Sequence, residues 1–227
     1  MLKTTITSGH EAHAPLLQSQ SAATESLTVV FEMLGAPMFF QPNSEIYGEE
    51  EPAEYFYQVF EGAVRTYKVL EDGRRQIGAF HRAGDVFGLE AGDKHAFSAE
   101  AIGKCTVRLA KRSGLLSFAE RDSKVAAALW AATAKSLRGA HEHMLLLGRK
   151  TAEERVVSFI LAMANSPASD QIIELPMSRQ DIADYLGLTI ETVSRTFSHL
   201  ESTAAIELHS SRRIRVPSRR DLQRLDA

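Results

Sequence analysis

The sequence predicts an α+β chain in three successive parts: an antiparallel β domain, one long helix, and a small C-terminal domain of short helices and a hairpin. Three observations carry this. Short aromatic and β-branched runs recur about every ten residues between Met38 and Ala110. A Pro-free stretch of good helix formers follows, from Asp122 to Leu147. After it come two short, capped helical patterns joined by a glycine, then two apolar runs around a basic turn. The corresponding boundaries are an arm over 1–26, a β domain over 27–120, a helix over 121–148 and the C-terminal domain over 149–227.

The β runs are Glu54–Phe60, Ala63–Val69 and Gln76–Phe80. They are separated by turn signals at Glu61-Gly62, Asp72-Gly73, Ala83-Gly84-Asp85 and Gly92-Asp93. Asp72-Gly73 is the best hairpin turn, because both residues tolerate positive φ. In the helical stretch, Ala126, Trp130, Thr133, Leu137, Ala140, Met144 and Leu147 alternate steps of four and three, the spacing of a two-helix seam. At 1.5 Å per residue that helix would be about 39 Å long, which suits a partner helix from a second copy. The alternative is a single helix packed on its own domain.

Composition bounds the rest. The 227 residues allow two modest domains; 44% are hydrophobic and 24% charged, an ordinary globular balance. The net charge of -3 means that any nucleic-acid surface must be local. The single cysteine, Cys105, excludes a disulfide framework and any cysteine-based metal or iron–sulfur site, and fits a reducing cytoplasm. Residues 1–26 are rich in Ser, Thr, Ala and Gln and read as a mobile arm rather than a signal peptide. The longest apolar stretch, Val125–Ala134, is too short to span a bilayer of about 30 Å.

The C-terminal part carries the chemistry. Thr151-Ala-Glu-Glu154 is a capping box that opens a helix through Ala164. Asn165–Asp170 reads as a loop, and Ile172–Leu175 as a short strand. Ser178 caps the next helix, with Asp181 at its third position, and Ile182, Tyr185 and Leu186 form its apolar face. Gly187 supplies the positive φ of a tight turn, and Thr189 caps a second helix. On that helix Ile190, Val193, Phe197 and Leu200 form a buried stripe. The opposite face is Glu191, Ser194, Arg195 and Ser198, flanked by Thr192 and His199: short hydrogen-bonding side chains without Glu–Lys ladders.

Such a helix fits the major groove of DNA. Arg195 can donate twice to guanine O6 and N7, and Glu191 can accept from cytosine N4. An ordinary helix hairpin is the alternative. The sequence beyond it favours DNA. Ile206–Leu208 and Ile214–Val216 flank His209–Arg213 as a wing, and His209–Arg224 holds six Arg against one Asp. Ser178, Arg179, Thr189, Thr192, Ser198, Arg212 and Arg213 are the candidate phosphate contacts; Glu191, Ser194 and Arg195 are the candidate base readers.

On Tyr185–Arg195, with its Glu191-x-x-Ser194-Arg195 pattern, the chain resembles the CRP/FNR family of bacterial transcription regulators, in its FNR/FixK branch. Leu145–Arg155 is similar to the family's junction between dimer helix and DNA-binding domain, and Arg82–Gly88 to a turn of its β-roll. The resemblance spans about Met38 to Val216. It implies a cyclic-nucleotide-binding-like β-roll, a dimerisation helix and a winged helix-turn-helix, with a homodimer reading a TTGA-N6-TCAA-like palindrome as an activator in the cytoplasm. It also implies an RNA polymerase contact at the Asp72, Gly73, Arg74, Arg75 turn, for which a plain surface hairpin is the alternative.

The departures bear on cofactors. Cyclic-nucleotide-binding relatives carry an Arg-Ser pair on the phosphate; aligned through Cys105, His95-Ala96 stand here, and neither makes an Arg fork. Residues 1–37 hold no cysteine for an iron–sulfur cluster. His10, His13 and His81 are the haem candidates, and scattered histidines of this kind are more often solvated or structural. The expectation is a regulator with no cofactor and no metal; the alternative is gating by an unrecognised small molecule in the β-roll. No nucleophile elbow, metal-binding His pair or phosphate loop supports an enzyme.

Overall fold

The computed structural model describes residues 27–164 and 171–226. The expected arm over 1–26, with His10 and His13, and the loop expected at Asn165–Asp170 lie outside the described residues.

A helix over 27–34 (α1) leads into eight strands: β1 (Ala36–Phe40), β2 (Glu45–Tyr47), β3 (Tyr55–Glu61), β4 (Ala63–Val69), β5 (Arg75–Arg82), β6 (Val86–Phe87), β7 (Ser98–Ala101) and β8 (Cys105–Lys111). They form two antiparallel four-stranded sheets, ordered β1-β8-β3-β6 and β2-β7-β4-β5. Residues of the two sheets, among them Tyr47, Tyr57, Val59, Val64, Phe87 and Val107, meet in one core. β3 explains why its sequence lacks a hydrophobic–polar alternation. Tyr57 and Val59 enter this core, while Phe56 points the other way, into a second core with Phe31, Leu115 and Val125 from helices. Gly88, at φ 72°, allows the chain to pass Tyr57: a Cβ there would lie 2.6 Å from the Tyr57 ring.

Two helices follow, α2 (Arg112–Arg121) and α3 (Ser123–Arg149). Asp122 separates them; its backbone is extended and its side chain accepts from the Lys124 amide at 2.8 Å, capping α3. α3 has 27 residues. Its Val125 and Ala128 pack into the second core, whereas Trp130, Leu137 and Met144 are 75%, 57% and 62% exposed. Ala126, Thr133 and Ala140 are exposed too. Leu147, read as the last seam position, differs: it is half-buried beside Gly187.

The C-terminal part contains α4 (Ala152–Met163), β9 (Gln171–Glu174), α5 (Arg179–Leu186), α6 (Ile190–Ser202), β10 (Glu207–Ser210), β11 (Arg213–Val216) and α7 (Arg219–Arg224). The wing is a three-stranded sheet, β10-β11-β9, because Ile172 and Ile173 pair with Arg215 and Ile214. The short helix α7, which packs Leu222 into the core, has no counterpart in the sequence reading. This core also takes Ala63, Ile102 and Phe80 from the β domain, so the two domains share an apolar boundary.

Candidate nucleic-acid interface

The two-helix unit is built by local chemistry. Ser178 and Asp181 form a full capping box at the start of α5: the Asp181 amide donates to Ser178 Oγ at 3.1 Å, and the Ser178 amide donates to Asp181 Oδ2 at 3.0 Å. Gly187 ends α5 in the left-handed region at φ 62°, its amide bonded to the Ala183 carbonyl. Thr189 Oγ1 accepts from the Thr192 amide at 3.3 Å and opens α6. Val193, Phe197 and Leu200 then bury one side of α6. Burying three large apolar side chains, at about 1.5–3 kcal/mol each, is what holds α6 to the domain and turns its other face outward.

That outer face carries Glu191, Ser194, Arg195 and Ser198, all exposed. The Glu191 carboxyl is held below its ordinary range, first by its own backbone amide, then by the Thr189 hydroxyl, with Arg195 adding attraction against a small cost of burial. Arg195 lies back along the helix, Nε 3.4 Å from the Glu191 carbonyl. Glu191 and Arg195 thus stand one turn apart on one face, as their spacing requires. Thr192 is half-buried and its hydroxyl lies 3.1 Å from that of Thr189.

Three of the expected phosphate contacts sit differently from the sequence reading. The Ser178 hydroxyl is engaged in the cap, donating to Asp181 Oδ2 at 2.7 Å. Arg179 stacks on Phe197, its guanidinium carbon 3.2 Å from the ring centroid, and burial pushes its pKa down to about 10. One of its terminal nitrogens, Nη1, is buried without a hydrogen-bond partner among the described residues. Arg213 Nε lies 3.7 Å from Glu174. The Arg excess is also smaller than counted along the chain. Strand pairing places Glu207, outside the counted stretch, 2.9 Å from Arg215, while Arg224 pairs with the one acid already counted, Asp221, at 3.0 Å. Arg212 and Arg220 remain exposed.

The hairpin between β4 and β5 has Asp72, Gly73 and Arg74 exposed at its tip, closed by the Arg74 side chain on Asp72 at 2.7 Å. Arg75 is the correction. Its side chain turns away from the tip and is bound by Asp181 at 2.7 Å and Asp184 at 2.8 Å of α5. It is spent within the chain, because two carboxylates hold its fork.

Two side chains that join the elements around this site were invisible to sequence reasoning. Arg155 of α4 joins three carbonyls: Lys150 at 3.0 Å, Leu186 at 3.0 Å and Leu147 at 2.7 Å. It thereby ties the ends of α3 and α5 to α4. His143 of α3 places Nε2 2.7 Å from the Tyr185 carbonyl, with its ring stacked on Tyr185 at 4.0 Å. Only the charged residue within a junction-like segment hinted at the first; nothing in the sequence pairs His143 with Tyr185.

In the β domain, His95 is buried with its ring stacked on Tyr47 at 3.6 Å. Its Nδ1 is 3.3 Å from Glu90 Oε2. No group of three or more His, Cys, Asp or Glu suited to a metal occurs among the described residues. No helix among them is long and apolar enough to cross a membrane.

A β-roll, a long helix with an exposed apolar stripe and a helix-turn-helix with a wing define the class: a DNA-binding transcription regulator. Residues 37–122 match the cyclic nucleotide-binding domain, and residues 154–225 match the Crp-like helix-turn-helix domain. The chain belongs to the CRP/FNR family, in its FixK-like branch. It is 50% identical over 203 residues to the nitrogen fixation regulation protein FixK of Azorhizobium caulinodans, covering 87% of this chain and 82% of that one. It is 42% identical over 175 residues to the FixK of Rhizobium meliloti, covering 77% and 80%. Among solved structures, FixK2 from Bradyrhizobium japonicum superposes with a TM-score of 0.81 at 55% identity, covering 86% of this chain and 98% of that one.

Proposed function

We propose that the chain acts as a homodimer that binds a TTGA-N6-TCAA-like palindrome and activates transcription there, without a cyclic nucleotide, iron–sulfur cluster or other cofactor. The carrying observation is the exposed face of α6, where Glu191, Ser194 and Arg195 stand clear of the domain core. A two-fold dimer sets two such helices in successive major grooves, about 34 Å apart, which calls for a palindrome. The exposed stripe of α3 supports the dimer, since a Trp at 75% exposure, with Leu137 and Met144 also exposed along the same face, is costly in water.

His95 supports the cofactor-free reading. It stands where nucleotide-binding relatives carry an arginine, and it is buried against Tyr47 rather than offering a fork. Thr189, Thr192, Ser198, Arg212 and Arg213 are the phosphate contacts of this reading, with Ser178 acting through its cap and Arg179 bracing Phe197. Asp72, Gly73 and Arg74 form the surface offered to RNA polymerase.

The test is a mobility shift with purified, metal-free protein. A shift of the TTGA-N6-TCAA duplex, but not of one with both half-sites scrambled, is expected. A shift that appears only on adding a cyclic nucleotide, a reconstituted cluster or a cytosolic small-molecule fraction refutes the cofactor-free reading.

A further inference from the structure

The β domain grips α5 at both ends. At the N-terminal end the two oxygens of Asp181 serve different partners. Oδ2 accepts from the Ser178 amide and hydroxyl and closes the helix cap. Oδ1 accepts from Arg65 Nη1 at 3.0 Å and Arg75 Nη2 at 2.7 Å. Arg65 is itself fixed, with Nε and Nη2 on Glu100 at 3.0 and 2.8 Å and Nη2 on Asn43 at 3.0 Å. Arg75 adds a bond to Asp184 at 2.8 Å. At the C-terminal end the Tyr185 carbonyl accepts from Gln76 Nε2 at 3.2 Å.

We infer that Arg65, Arg75 and Gln76 are positioning residues for DNA recognition: they hold α5, and with it α6, at one angle to the β domain and to α3. Neither domain needs these bonds to complete itself. The cap of α5 is satisfied through Oδ2, and Arg65 has Glu100 and Asn43 within its own domain. The bonds therefore act on the relation between domains. The apolar part of the boundary, with Phe80 beside Phe159 and Tyr185, tolerates sliding. A guanidinium fork on fixed carboxylates does not. A buried ion pair adds little net stability but penalises every alternative register in which a charge is left alone. Two points of attachment, at opposite ends of one short helix, remove the rotation that a single point would leave.

The inference rests on the DNA-binding reading for one of its two readouts. The experiment uses the full-length chain and an Arg75→Gln variant. Amide hydrogen exchange of the free protein reads the clamp without DNA. Exchange should quicken in β5 and α5 together, while β3 and α4 keep their protection. Affinity for the palindrome should fall roughly five- to tenfold, as the reading orientation becomes a fraction of several. An Arg75→Cys, Asp184→Cys variant, bridged by a short bismaleimide, should regain affinity to within about twofold of wild type, because the bridge restores position without charge. Cys105 is buried and is spared. If Arg75→Gln loses protection everywhere, Gln76→Ala, which removes the bond to Tyr185 and otherwise only a bond to the neighbouring Ile77 carbonyl, gives the same reading. Unchanged exchange at β5 and α5, or a bridged variant as weak as the unbridged one, overturns the clamp. A wild-type chain that ignores the palindrome overturns the proposed function instead, and exchange alone then judges the clamp.

Discussion

Replacing Arg155 with Met should loosen the junction of α3, α4 and α5 more than any other single change at a half-buried position there. The guanidinium donates to three carbonyls at 2.7–3.0 Å. Leu147 and Leu186 lie in the last turns of α3 and α5, where no helical amide is left to bond them. A bond from a charged donor contributes about 1.5–3 kcal/mol when well shielded. Arg155 is half-buried, so water recovers part of each; about 1 kcal/mol per bond, or about 3 kcal/mol in all, is the expected loss. At 2–4 °C per kcal/mol for a chain of this size, the melting temperature should fall by roughly 6–12 °C. Urea and thermal unfolding followed by far-ultraviolet circular dichroism measure it. Arg155→Lys should recover about a third, since one ammonium cannot span three diverging carbonyls. A loss below about 1 kcal/mol for Arg155→Met would refute the reasoning, because the carbonyls would then be satisfied by water at no cost.

Leu137→Glu should sediment as a monomer, since a charge enters the seam of the proposed dimer; an unchanged dimer removes α3 as the interface. Arg195→Ala should cost roughly 1–3 kcal/mol per half-site and relax preference at the G·C pair of TTGA, whereas Arg212→Ala should weaken all sequences alike and flatten the salt dependence. Equal loss by Arg195→Ala on duplexes differing only at that pair would make Arg195 a phosphate clamp. Stability should also fall with acid. Burial pushes His81 down to about 4, with Asp85 opposing and Lys135 reinforcing; burial likewise lowers His143 against the Tyr185 and Gly78 backbone. The unfolded chain takes up these protons near pH 6.5 while the folded chain resists, so stability is full above 6.5 and is lost as pH falls from there towards 4. Urea midpoints at several pH values check this, and a slope unchanged in His81→Asn would exclude His81 as its source.

Local physics was legible in the sequence. Ser178, Asp181, Gly187 and Thr189 act on neighbours within a few residues, so their spacing alone specifies two helices and the turn between them. The stripe of α6 follows from the helical period at Val193, Phe197 and Leu200, and the outer face with it, whereas Ile190, in the first turn, is 37% exposed instead of buried. The long helix was legible too, and the structure leaves most of its seam exposed. Charge was misjudged where strands pair: Glu174 and Glu207 meet Arg213 and Arg215 across a sheet, and counting along the chain cannot see them. The same limit hid Arg75, whose place beside a turn suggested a surface role, and His143, which looked like one more residue on a helix. Arg75 meets Asp181 across 106 positions of sequence. The sequence by itself thus determined the long helix, the two capped helices with their turn, and the polar outer face of α6, because those depend on the 3.6-residue helical period, capping and turn geometry. Only the tertiary structure decided how that face is aimed, because aim depends on charged and aromatic side chains that meet after both domains have folded, and no local pattern records which of them will meet.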